Sequence, residues 1–172
     1  LRYAPAEGLM LNMEDGRTVK LQDHSFNASV RQDEIFVWCA SKDFSAEIAS
    51  TFGRFCVQID PKVIVDRLRM RANASSSLDY SKIVADDVVY RSIQQVPLAD
   101  WALPEKVALI KPESFANQRE YRIAVSKRGA FDVENVELQL VPLAHLEPIT
   151  LVSSKILVAL GNLEDHATLH EF

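Results

Sequence analysis

Polar and apolar positions divide this chain into many short segments. Ile35–Ala40 is an unbroken, β-prone apolar run. Such a run predicts a strand buried on both faces and central in its sheet. It ends at the polar break Ser41-Lys42-Asp43, after which Ser45 caps a short helix. Ile48, Ala49 and Phe52 form that helix's core face, and Gly53 stops it. Phe55–Ile59 alternates as a strand, with Phe55, Val57 and Ile59 on one side. Asp60-Pro61 then opens a second helix, because Asp caps and Pro at the first position loses no needed donor. This helix is expected to run to about Ala72 with Val63, Ile64 and Leu68 facing the core, and Asn73–Ser77 to form a small polar loop.

Elsewhere Leu9–Met13 and Val19–Leu21 flank Asp15-Gly16, which predicts a hairpin. Val88–Tyr90, Tyr121–Val125, Val136–Val141 and Ile149–Val152 read as strands, and Pro97–Pro104 as a connector containing Trp101. Lys106–Ile110 and Lys155–Leu160 are compatible with either element, and a terminal helix is expected after Gly161. There are no internal repeats. Many short strands with few, short helices predict an α+β fold, a mixed twisted sheet with helices packed on it. Residues 1–172 are expected to form one domain. The chain opens at Leu1-Arg2-Tyr3 in mid-pattern, so a native first strand is expected upstream.

Composition narrows the classes. With 48% apolar and 25% charged residues, the chain is neither disordered nor collagen-like. Its net charge of −5 weighs against a protein that lives on nucleic-acid phosphates. Arg67, Arg69 and Arg71 are the densest basic cluster; helical spacing puts Arg69 nearly opposite the other two, so they read as a solvated helix end. Cys39 and Cys56 lie in apolar strand-like runs and are expected to be buried free thiols, which fits a reducing, cytoplasmic compartment. No apolar stretch approaches the ~18 residues needed to span a membrane, and no signal peptide is visible.

The most distinctive chemistry is Gln118-Arg119-Glu120 at a loop-to-strand junction. In extended chain, residues two apart point the same way, so Gln118 and Glu120 are expected to project together and Arg119 away. An amide beside a carboxylate suits a cationic, oxocarbenium-like transition state. The competing reading is structural: Glu120 pairs with Arg119, Arg122 or Lys111.

Gln-x-Glu entering a strand resembles the Gln/Glu-x-Glu signature of mono-ADP-ribosyltransferases. The run Phe36–Ser41 followed by a helix is similar to the serine-ended strand of that family, with Cys39-Ala40-Ser41 in place of the usual Ser-Thr-Ser. The resemblance implies NAD as co-substrate and transfer of ADP-ribose to a protein or nucleic-acid acceptor. It implies Glu120 as the catalytic glutamate, Gln118 as the acceptor-positioning residue and Ser41 as support for the nicotinamide ribose. Arg2 stands for the family's first-strand basic residue. A second resemblance covers more of the chain. Pro5, Glu7 and Gly8, the Val37–Ser41 strand end, and Lys111, Glu120 and Arg122 are similar to uncharacterised bacterial and phage-associated domains with a late Lys…Glu-x-Arg motif. That resemblance says less about activity; the reading set beside the enzyme is a non-enzymatic bacterial or phage accessory interaction domain.

Other candidates are weaker. His166 and His170 are four apart, so one helix face would present both to a metal, with Asp165 and His24 as possible completions. Ala167 stands where a zincin needs Glu. Asp60 and Glu120 suggest a metal nuclease only if the fold joins them, and Asp60 is more economically a helix cap. Asp86-Asp87 reads as an exposed strand lead-in. Ser and Cys nucleophiles lack an identifiable His-acid pair, and the five glycines form no phosphate loop. Two readings therefore go forward. The enzyme requires Ser41, Gln118 and Glu120 to converge on an open cleft. The interaction domain gains if Glu120 is buried in an ion pair with Arg122.

Overall fold

The computed structural model describes residues 2–3, 9–21, 25–92, 103–139 and 155–172. Its strands are β1 (Arg2–Tyr3), β2 (Leu9–Asn12), β3 (Thr18–Leu21), β4 (Ser25–Ser29), β5 (Ile35–Ser41) and β6 (Phe55–Ile59). They continue as β7 (Val84–Asp87), β8 (Val89–Arg91), β9 (Ile110–Pro112), β10 (Glu120–Ser126), β11 (Asn135–Gln139) and β12 (Ala167–Glu171). The α-helices are α1 (Ala46–Phe52), α2 (Pro61–Asn73) and α3 (Pro104–Val107). Small sheets with few helices make this an α+β fold. The described sheets are β1-β4-β11, β5-β10-β7, β12-β6, β2-β3 and the parallel pair β8-β9.

Local chemistry fixes several boundaries. Gly16, at φ +82°, turns the β2–β3 hairpin in the left-handed region that glycine enters without Cβ cost. Ser45 Oγ accepts from Ile48 N at the start of α1, and Gly53 ends that helix. Asp60 Oδ1 accepts from Lys62 N at 2.8 Å and Pro61 opens α2.

The core lies where α2 crosses the sheets. Ile64, Val65 and Leu68 pack on Ile123 of β10, joined by Ile59, Ile83, Ala85, Tyr121, Val158 and Leu160. Ala72, Leu78 and Val125 continue it. Val65, rather than Val63, supplies the second inward valine, and Val63 is only half-buried. Residues 155–163 carry no regular structure. Arg67 pins them across the helix by donating to Leu160 O at 3.1 Å and to Asn162 O. Arg67 is therefore a strut, and only Arg69 and Arg71 are exposed as expected.

Register sorts the faces of the β5-β10-β7 sheet. Tyr121↔Ala40, Ile123↔Trp38 and Val125↔Phe36 share the face toward α2. Glu120↔Ser41 and Arg122↔Cys39 share the other, with Asp86 beside Arg122.

Three expectations are corrected. β5 is not central: among the described residues it is an edge strand, with β10 in the middle, and Val37 and Trp38 are exposed. An apolar run signals a strand but not its neighbours. Cys39 is correspondingly exposed and Cys56 only half-buried. The terminal segment is not a helix but a short turn at Glu164–His166 followed by β12, because pairing with β6 captures it over five residues. His166 and His170 thus share no helix face; His170 instead contacts Gln58 Oε1 at 2.9 Å and the Phe44 ring at 4.7 Å. Lys106–Ile110 divides between α3 and β9, and Val88 separates β7 from β8. The strand expected at Ile149–Val152, Trp101, His24, and Pro5, Glu7 and Gly8 lie outside the described residues, as do the last two residues of Val136–Val141.

Candidate functional site

The distinctive junction is built by local turns. Pro112 closes β9, and Glu113–Gln118 winds as a 3-10 turn. Arg119 follows at φ +42° in the left-handed region, which side chains other than glycine and asparagine rarely enter. The end of β5 holds that kink. Lys42 N donates to Arg119 O at 3.0 Å, Ser41 Oγ donates to Gln118 O at 3.0 Å, and Arg119 Nη1 pairs with Asp43 at 2.7 Å. The chain then straightens into β10, where Tyr90 Oη accepts from Glu120 N at 2.8 Å.

Gln118 and Glu120 converge, but not through an extended backbone. Both accept from one ammonium: Lys111 Nζ donates to Gln118 Oε1 and, at 2.5 Å, to Glu120 Oε1. The other carboxylate oxygen accepts from Arg122 Nε at 2.9 Å. Arg122 Nη1 also donates to Ala108 O at 3.0 Å, and the Lys111 ammonium sits 4.6 Å from the Phe115 ring centroid. The Lys111, Glu120 and Arg122 side chains are only 18%, 11% and 16% exposed. Burial pushes the Glu120 carboxyl up, but hydrogen bonds and charge from Lys111 and Arg122 outweigh it and hold the group below the usual range. Partial burial pushes the neighbouring Cys39 thiol up, against the opposing pull of Arg122. In chemical terms the cluster is a carboxylate neutralised by two cations, with hydrogen bonds reaching three chain segments.

Beside it lies an open groove of about 710 Å³, lined by the end of β5, α1, β6, Tyr121 and Phe172. Its walls are mainly apolar, and Phe44, Phe52, Phe55 and Val57 are 58%, 70%, 55% and 60% exposed. The Lys42–Asp87 ion pair, at 2.6 Å, contributes charged groups to the lining. Ser41 lines this groove; Gln118 and Glu120 do not. Ser41, Gln118 and Glu120 are thus neighbours without sharing the groove's wall. Arg2 lies on β1, and its side chain is outside the described residues.

The sequence reading did not single out Tyr90 or the groove. Tyr90 stands 30 residues from Glu120, a separation with no local signature. Lys111, nine residues away, was legible as part of the Lys…Glu-x-Arg pattern. Among the described residues no three His, Cys, Asp or Glu side chains are placed to hold a metal ion, so Asp60 and Glu120 form no such group. Among the same residues no helix is long and apolar enough to cross a membrane. No protein-family model, curated protein or solved structure matches the chain.

Proposed function

We propose that this chain is a non-catalytic binding domain. The Lys111–Glu120–Arg122 network ties the excursion between β8 and β10 to the sheet, and the apolar groove receives a partner. One observation carries this reading. Both oxygens of the nearly buried Glu120 carboxylate are committed to cations, while the groove beside it stands open. A carboxylate so neutralised has little charge left to offer a developing cation.

A second reading, an NAD-using ADP-ribosyltransferase-like enzyme with a protein or nucleic-acid acceptor, draws support from one fact. Ser41 lies directly opposite Glu120 on one sheet face. Against it, the present arrangement fits NAD poorly. The Gln118 amide oxygen and both Glu120 oxygens are engaged by cations, and the Ser41 hydroxyl by a backbone carbonyl.

Thermal denaturation with and without millimolar NAD, for the wild-type chain and Glu120→Gln, separates the two. A ligand bound only by the folded state raises the midpoint by mass action. The binding-domain reading expects no NAD shift and a lowered midpoint in Glu120→Gln. An NAD-dependent rise that disappears in a still-folded Glu120→Gln overturns it.

A further inference from the structure

We draw no further inference here: the strongest candidate, the apolar groove lined by β5, α1 and β6, carries none, because nothing among the described residues shows what covers it.

Discussion

The Lys111 ammonium meets the Glu120 carboxylate at 2.5 Å across nine residues of chain, and the same ammonium holds the Gln118 amide. Removing Glu120 leaves two cations without their carboxylate in a site less than one-fifth exposed, and removing Lys111 leaves one Glu120 oxygen without its cation and Arg122 as the remaining partner. Glu120→Gln and Lys111→Met are each expected to cost about 2–3 kcal/mol, a little under the cost of breaking a fully buried pair. The double variant should lose clearly less than the sum, because the stranded partner is gone. Urea titration of the four proteins measures this; additive losses would mean that the two groups do not act as a pair.

Acid should expose the same pair. Lys111 and Arg122 hold the Glu120 carboxyl below its ordinary value despite burial. A depressed carboxyl contributes stability that is fully present above its unfolded pKa of about 4.3 and is lost as pH falls through the folded-state value. The midpoint gap between wild type and Glu120→Gln should therefore be widest near neutrality and shrink below about pH 4. A gap that is constant across that window removes the pairing as its source.

Arg119 sets strain against an ion pair. It is the one residue other than glycine at positive φ among the described residues, and its guanidinium pairs with Asp43 in a largely exposed setting. Arg119→Ala keeps the strain and loses a pair worth about 0.2–1 kcal/mol. Arg119→Gly loses the pair but relieves about 1–2 kcal/mol of left-handed cost, offset partly by glycine's entropy. The glycine variant should be the more stable of the two by about 1 kcal/mol in chemical denaturation.

Ile123 and Phe52 should behave oppositely although both are large and apolar. Ile123, 1% exposed in the central strand, packs against α2, so Ile123→Ala should cost about 2–5 kcal/mol. Phe52 is 70% exposed at the end of α1, and Phe52→Ser should change stability by no more than about 0.5 kcal/mol. Calorimetry of the two variants checks the placement of the core.

Sequence reading succeeded where the deciding interactions are local. Asp60-Pro61 announces α2 because capping needs only Lys62 N, two residues on. Ser45, Gly53 and Asp15-Gly16 mark their helix ends and hairpin for the same reason. It failed at β12, where the helix expected after Gly161 gives way to pairing with β6 more than 100 residues earlier. In the candidate site, Gln118, Glu120, Arg122 and Lys111 were all legible as candidates. Their state of charge was not, because it depends on which of several nearby cations the fold brings to Glu120.

By itself, then, the sequence determined the α+β class, the short strands and helices, and the polar residues gathered around β10. Their short-range hydrogen bonds and side-chain alternation are written in neighbouring positions. Only the tertiary structure decided that the Ile35–Ser41 run is an edge rather than a centre among the described residues, that Glu120 is bound between two cations, and that an open apolar groove lined by β5, α1 and β6 lies beside it. Each depends on contacts between distant segments, and a strand's own residues do not encode which neighbour, if any, lies along its edge.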